Sequence, residues 1–271
     1  LISSKNYKQI RIEYPTMEVI HRCQDIGIPL DHVYQKKDVF IEFAVNDLQI
    51  SRLKEEGIDF IVIHQNLEEF YKSRLQPMED TRDIEYGSMG GYYTHDEIVQ
   101  HLEELVENYP DLVSSLNIIG QSLEGRPIFA IKLSDNPNID EDELEVLYTG
   151  LHHAREPMSY MNQFYFINWL LDNYNIDDQA TAILNNRQLW FVPMVNPDGL
   201  VYNEQIAPNG GGMQRKNHRE TCGNNDDYYD WDGIDLNRNY SFQWAYDDNG
   251  SSPDACSQTY RGTSPFSEPE T

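Results

Sequence analysis

His153 and Glu156 are the two side chains in this sequence best placed to hold a metal ion, because they stand three residues apart in the segment Thr149–Pro157. Imidazole nitrogen and carboxylate oxygen are both good zinc ligands. Catalytic zinc sites typically use about three protein ligands and keep one position open for water. The pair would therefore supply two ligands of such a site. The neighbouring His152 is expected to face the other way, and we interpret it as a structural residue.

Two further clusters carry donors that could bind an anionic substrate. Arg215 opens a run of basic and amide side chains, and Asn237 lies directly before Arg238. Arginine suits bidentate carboxylate recognition, and asparagine can donate beside it. An anionic substrate end held by Asn237 and Arg238 is therefore chemically sensible. The alternative for each arginine is a surface salt bridge with the abundant acidic residues.

A loop with five carboxylates in six residues is a candidate calcium site. Calcium accepts several carboxylate oxygens in flexible geometry. The alternative is an ordinary solvated acidic loop. The candidate ligands are Asp140, Glu141, Glu143 and Glu145.

The elements around His153 predict how these groups are positioned. Val146–Leu151 reads as a buried strand, and Met158–Tyr174 reads as a helix with Pro157 in its first turn. A strand predicted at Gln188–Val195 ends at a second turn, Asn196–Gly199. In open α/β sheets, sites lie beyond the carboxyl ends of strands. The two turns should therefore share one crevice.

Periodicity divides the chain into a small first region, a connector and a larger second region. Residues 1–75 show the order β-α-β-β-α-β, which predicts an α+β open-sandwich domain with two helices on one face of an antiparallel sheet. Residues 76–91 are polar and glycine-rich, as is typical of a flexible linker. Residues 92–271 alternate near-continuous apolar strands with helices. This pattern predicts an α/β fold with a mixed sheet covered by helices on both faces.

Other elements of the second region follow from the same patterns. Thr94–Asn108 is predicted to be a helix, and Val113–Ile119 and Ile128–Leu133 are predicted strands. A short helix is expected near Asp177–Leu184. Ser267–Glu270 has the capping pattern of a helix start.

Composition limits the function classes. The chain has 271 residues and a net charge of −26, which argues against nucleic acid because phosphate neutralisation needs lysine and arginine. It has no run of about eighteen apolar residues, so a membrane span is not expected. Three cysteines allow at most one internal disulfide. Cys222 and Cys256, which flank a loop-rich region, are the candidates, whereas Cys23 is expected to be an inert core residue.

Five motifs in a fixed order resemble those of the zinc metallocarboxypeptidases, which are carboxypeptidase A/B-like enzymes. The resemblance is greatest to the secreted bacterial carboxypeptidase T type. It covers residues 87–271, and the first region more weakly resembles the propeptide of that family. The motifs are HAREP from His153, NPDG from Asn196, RKN from Arg215, DLNRNY from Asp235 and FSEPET from Phe266.

The resemblance implies a role for each matching residue. His153 and Glu156 would be zinc ligands, and Arg215 would polarise the scissile carbonyl and stabilise the oxyanion. Asn237 and Arg238 would grip the C-terminal carboxylate of a substrate. The auxiliary substrate contact would be Arg155.

The resemblance also implies calcium near the acidic loop, peptide or protein C-termini as substrates, and the chain's own propeptide-like region as a partner. We expect a monomeric zymogen that is secreted or periplasmic and binds neither nucleic acid nor membrane.

Two features of the resembling enzymes do not occur in this sequence. Their third zinc ligand lies in a His-[Ser/Thr]-Tyr segment, and their catalytic glutamate follows later. His218 is the only histidine beyond the pair, and it does not match the ligand position. Leu1 is not an initiator methionine, and the pattern at Ser267–Glu270 starts a helix just before the last residue. We therefore expect an incomplete, inactive chain whose beginning was removed by processing or truncation.

Two alternatives remain open at this point. One is a non-catalytic homologue that binds carboxylates or peptides. The other is a zinc amide hydrolase on the same scaffold.

Overall fold

The computed structural model describes residues 7–28, 30, 33–74, 86–223 and 232–271. The chain divides into two compact units, Leu1–Asp80 and Thr81–Thr271. Most of the predicted linker, residues 76–85, lies outside the described residues. Within the described ranges, no helix is both long and apolar enough to cross a membrane.

The first unit is a four-stranded antiparallel sheet in the order β2-β3-β1-β4. The predicted element order is present and is followed by a third helix. The strands are β1 Lys8–Glu13, β2 Tyr34–Lys36, β3 Phe40–Val45 and β4 Ile61–His64, and the helices are α1 Met17–Asp25, α2 Asp47–Glu55 and α3 Leu67–Arg74.

Buried and polar side chains alternate along strand β1 of this unit. Ile10 and Ile12 of β1 are buried, and their neighbours Gln9 and Arg11 hydrogen-bond Glu42 of β3. Cys23 of α1 belongs to the core, and burial raises the pKa of its thiol to about 11. This agrees with the expected inert core residue.

The second unit is built on a mixed sheet in the order β5-β6-β8-β7, which confirms the predicted sheet type. Strand β6 is antiparallel to β5 and β8, whereas β7 is parallel to β8. The strands are β5 Asn117–Gln121, β6 Pro127–Leu133, β7 Leu144–Thr149 and β8 Arg187–Val192, and the helices are α4 His95–Asn108, α5 Met158–Asn173, α6 Asp178–Leu184 and α7 Pro197–Ile206.

Helices α4 to α7 all contribute to one large apolar core. Phe191 of β8 belongs to it, whereas its neighbour Val192 belongs to a smaller core that also contains Leu236. The alternation along β8 therefore places a core on each face of the sheet. At the β7 edge, Leu144 and Leu147 are 67% and 64% exposed.

The structure corrects several sequence predictions. The strand predicted at Val113–Ile119 is wrong in its bounds, because β5 begins at Asn117 and Val113 forms only an isolated bridge with Leu133. The strand predicted to reach Leu151 ends at Thr149, because Leu151 has a left-handed backbone. The prediction that this strand is buried is also wrong, because among the described residues β7 pairs with β8 alone and most of its side chains are exposed. The predicted helix start at Ser267–Glu270 is a turn, which Thr271 closes by donating its N–H to the Glu268 carbonyl.

The turn predicted at Asn196–Gly199 proves to be the start of α7. The Asn196 side chain accepts a hydrogen bond from the Gly199 N–H, and proline occupies the first helical position. Asparagine caps and a first-turn proline are both typical of helix starts. The first turn of α7 therefore remains at the end of β8, where the predicted crevice requires it.

Thr94 caps α4, and its replacement tests whether the capping hydrogen bond stabilises this helix. The Thr94 hydroxyl accepts from the Glu97 N–H, and the Glu97 carboxylate accepts from the Thr94 N–H at 2.8 Å. Thr94→Ala should lower the free energy of unfolding by about 1 kcal/mol, measured by urea denaturation. Thr94→Ser keeps the hydroxyl and should unfold like the wild type. Equal losses in both variants would contradict the capping role.

Candidate metal centre and carboxylate-binding site

A strained turn after β7 presents the predicted ligand pair. Leu151 is buried with φ 54°, in the left-handed region that costs a non-glycine residue about 1–3 kcal/mol. Its N–H donates to the Ser159 hydroxyl at 2.9 Å, and that hydroxyl donates to the Glu156 carbonyl at 2.7 Å. The Leu151 carbonyl accepts from the Asn196 N–H at 3.1 Å. Bonds from α5 and from the start of α7 thus stabilise the turn.

His153 and Glu156, the predicted ligand pair, face each other across one turn of chain. The Nδ1 atom of His153 lies 3.0 Å from both Oε1 and Oε2 of Glu156. One imidazole nitrogen and one two-oxygen carboxylate therefore converge on the same point, and their chemistry fits zinc. Among the residues that the structure describes, no group of three or more histidine, cysteine, aspartate or glutamate side chains is arranged to hold a metal. The described site thus offers two protein ligands.

A buried aspartate fixes the other side of the His153 ring. The Nε2 atom of His153 lies 3.0 Å from Oδ1 of Asp235, a residue with no exposed surface. A carboxylate on the second nitrogen of a ligating histidine sets the ring orientation and raises its basicity. This role of Asp235 was not predicted from the sequence. The signal was available, because Asp235 stands two residues before Asn237 in a motif already singled out.

Arg215 completes a buried charge network. Its Nη2 and Nε atoms lie 2.8 and 3.3 Å from Oδ2 of Asp235, and its Nη1 atom lies 3.6 Å from Oε1 of Glu156. Burial alone would raise the pKa of Asp235, but the hydrogen bond from His153 and the charge of Arg215 hold it well below its usual range. The guanidinium therefore lies beside the predicted metal ligands, and its carbonyl-polarising role stays a prediction.

Asp235 also positions the predicted carboxylate-binding residues. Its Oδ1 atom accepts from the Asn237 N–H at 3.0 Å and caps a short 3₁₀ helix, Leu236–Arg238. Arg238 donates from Nε to the Gly250 carbonyl at 2.7 Å and from Nη1 to the Asn237 carbonyl at 3.1 Å. Neither bond uses Nη2. Asn237 is exposed, and Arg155 is half-buried in the turn that holds the ligand pair.

The two remaining histidines near this region do not join the ligand pair. The Nε2 atom of His152 lies 2.8 Å from the Tyr240 hydroxyl, and burial, followed by the charge of His153, lowers the pKa of His152 to about 4. Its ring is therefore neutral at neutral pH. His218 contacts Glu124 instead. The structural interpretation of His152 agrees with these contacts.

The acidic loop leads into β7. Gln188 donates to Asp140 at 3.2 Å, and Asn136 donates to Glu141 at 3.2 Å. Oε2 of Glu141 and Oε2 of Glu143 are buried without a hydrogen-bond partner among the described residues. Burial and the charge of Glu141 raise the pKa of Glu143. The remaining candidate ligand, Glu145, is exposed on β7.

Cys222 and Cys256 form a disulfide with a Cα–Cα distance of 4.7 Å. It joins the two ends of the segment that contains Asp235. Lys216 donates to the Ser257 carbonyl at 2.8 Å, next to this bond. Closing the loop restricts the unfolded chain and so favours the fold that presents Asp235.

Comparison with known proteins assigns this chain to a family. The family model described as zinc carboxypeptidase matches residues 98–271. A zinc carboxypeptidase of Saccharothrix mutabilis subsp. capreolus is 36% identical over 169 residues, covering 62% of this chain and 36% of the relative. Carboxypeptidase A2 of Mus musculus is 30% identical over 243 residues, covering 87% of this chain and 54% of the relative.

A solved structure shows the same architecture. The crystal structure of thrombin activatable fibrinolysis inhibitor matches with a TM-score of 0.71 and 25% identity, covering 98% of this chain and 66% of that chain. The chain belongs to the zinc carboxypeptidase family. It spans 36% and 54% of the lengths of the two curated relatives.

Asp235→Asn tests the positioning of His153. It removes the charge that orients the ring and pairs with Arg215, so zinc affinity should fall about 10- to 100-fold. Competition against a chelator measures this, and circular dichroism checks that the variant folds. Asp248→Asn is the matched control, since Asp248 is exposed and pairs with Arg261 instead of the ligand pair. A folded Asp235→Asn protein with unchanged zinc affinity would contradict the assignment.

Proposed function

We propose that the chain is part of a zinc-dependent carboxypeptidase that hydrolyses the last peptide bond of peptides. The observation that carries the proposal is the arrangement at His153. Its Nδ1 faces both oxygens of Glu156, and its Nε2 is held by buried Asp235. A metal-ligating histidine usually has its other ring nitrogen held by a carboxylate, as Nε2 of His153 is held by Asp235.

His153 and Glu156 would hold the zinc ion. Zinc, when bound, supplies a Lewis acid that polarises a carbonyl group and acidifies water. His153 must be unprotonated to bind it. Burial alone would lower the pKa of His153, but its hydrogen bonds to Asp235 and Glu156 raise it. Zinc binding should therefore release a proton and weaken as the pH falls through this raised pKa.

The cationic side chains would act on the substrate. Arg215, fixed by Asp235 and 3.6 Å from Glu156, would stabilise negative charge that develops on the scissile carbonyl oxygen. Asn237 and Arg238, at the end of the capped 3₁₀ helix, would bind the free C-terminal carboxylate. Arg155 would add an auxiliary contact.

The test of this proposal is release of C-terminal residues by the full-length protein. Activity should require a free C-terminus, and amidation of the peptide or removal of zinc should abolish it. Arg238→Ala should lower kcat/KM roughly 10²-fold, because a paired carboxylate loses its partner. His218→Ala is the control, because His218 contacts Glu124 and not the ligand pair. Cleavage of amidated peptides at an undiminished rate would contradict the proposal that the protein is an exopeptidase.

We further propose that residues 1–75 act as a propeptide of a secreted or periplasmic monomeric zymogen. The support is the predicted linker at residues 76–91 and the separate compact unit Leu1–Asp80. The same assay, run before and after limited proteolysis of the linker, tests the idea. Activity that rises only after cleavage is the expected result, and equal activity in both forms would contradict it.

We also propose calcium binding at the acidic loop, where the two buried, unpartnered oxygens of Glu141 and Glu143 would act as ligands and carbonyl groups or water would supply the others. Calcium at about 100 times its dissociation constant should stabilise the protein by about 2.7 kcal/mol. Thermal unfolding with and without calcium measures this. Glu143→Gln should remove the effect, whereas Glu107→Gln, an exposed carboxylate on α4, should keep it. A melting temperature that does not respond to calcium would rule the site out.

A further inference from the structure

We propose that Asn249 is a site of spontaneous deamidation, at which the side-chain amide is converted to aspartate and isoaspartate beside Arg238. The sequence contains two Asn-Gly steps, Asn209-Gly210 and Asn249-Gly250. Asn-Gly is the dipeptide most prone to this reaction, because glycine places no side chain in the path of its own nitrogen. The structure places these two dipeptides in different environments.

The reaction needs only water and a mobile backbone. The Gly250 amide nitrogen, having lost its proton, attacks the side-chain carbonyl carbon of Asn249. A C–N bond forms, ammonia leaves, and a five-membered succinimide results. Water then opens either carbonyl of the ring. One opening gives aspartate, and the other gives isoaspartate, in which the main chain runs through the former side chain.

Asn249 has two features that favour this chemistry, which are access to water and a following amide nitrogen without a hydrogen bond among the described residues. Asn249 and Gly250 are both exposed. Among the described residues, neither the Asn249 side chain nor the Gly250 N–H has a hydrogen-bond partner. Gly250 has φ 84°, and no atom lies within 4 Å of the position that a Cβ would occupy there. The amide nitrogen is therefore free to attack, and the ring has room to form.

Asn209 has the same dipeptide but a different environment. The Gly210 N–H donates to the Ala207 carbonyl at 2.8 Å. A Cβ at Gly210 would lie 3.1 Å from the Met89 carbonyl oxygen, so the backbone is packed as well as hydrogen-bonded. Attack by this nitrogen requires the local structure to open first, and the population of the open form limits the rate. Asn209 is thus an internal control.

Deamidation at residue 249 would disturb the contact that orients Arg238. The Gly250 carbonyl accepts from Arg238 Nε, and Arg261 holds Asp248 at 2.8 Å. A new carboxylate next to Asp247 and Asp248 adds like-charge repulsion, and isoaspartate lengthens the main chain by one carbon. Both changes alter the position of the Gly250 carbonyl relative to the guanidinium. This consequence for substrate binding rests on the proposed function, whereas the modification itself does not.

The decisive experiment is peptide mass spectrometry of the protein incubated at mildly alkaline pH. A free peptide with the sequence 247–252 is the reference. Asn249 should deamidate at a rate within a few-fold of that peptide, and Asn209 at least about tenfold more slowly. Labelling by an isoaspartate-specific methyltransferase should appear in the wild type and be lost in Asn249→Gln. Conversion of Asn209 as fast as Asn249, or an unmodified Asn249 after the peptide has fully converted, would overturn the proposal.

A second measurement follows the effect on Arg238. In the full-length protein, ageing should raise KM for peptides with a free C-terminus and leave kcat nearly unchanged. Asn249→Gln should resist the change. An unaltered KM after complete conversion would refute the effect on Arg238. Absence of any carboxypeptidase activity before ageing would instead refute the proposed function, and the mass-spectrometric result would stand.

Discussion

The buried carboxylate of Asp235 is the constraint on which the rest of the site depends. A charge without exposed surface is tolerated only where partners replace the water it has lost. Asp235 has three such partners: His153 at 3.0 Å, Arg215 at 2.8 Å and the Asn237 N–H at 3.0 Å. One side chain therefore connects three predicted parts of the site: a metal ligand, the group that stabilises the oxyanion, and a residue that binds the substrate carboxylate.

The sheet supplies the frame in which these partners meet. Strands β7 and β8 run parallel, so the turn that carries His153 and the first turn of α7 lie at the same edge. The left-handed backbone at Leu151 turns the chain away from β7. It is fixed by a hydrogen bond from the Leu151 N–H to Ser159 and by one from the Asn196 N–H to the Leu151 carbonyl. Strain at this position is balanced by the contacts that define the site, as is common at functional turns.

Sequence patterns predicted much of this arrangement. Periodicity was sufficient for the helix α4 and for the mixed sheet. Ligand chemistry singled out His153 and Glu156, which the structure places 3.0 Å apart, and their role as metal ligands stays a prediction. The patterns failed where tertiary contacts decide the outcome. Val113 is apolar like a strand residue but makes only one bridge, and Asn196 reads as a turn although it caps α7. Asp235 was missed because a buried carboxylate looks like a surface one in a chain with 46 acidic residues.

Strand β7 has a consequence for handling the protein. Among the described residues it pairs with β8 alone, and its outer edge carries the exposed side chains Leu144 and Leu147. An apolar strand with free backbone donors and acceptors is a template for strand addition and a common origin of aggregation. The outer edge of β7 should accordingly be a site of self-association. A lysine placed at position 147 is the natural first choice for preventing it.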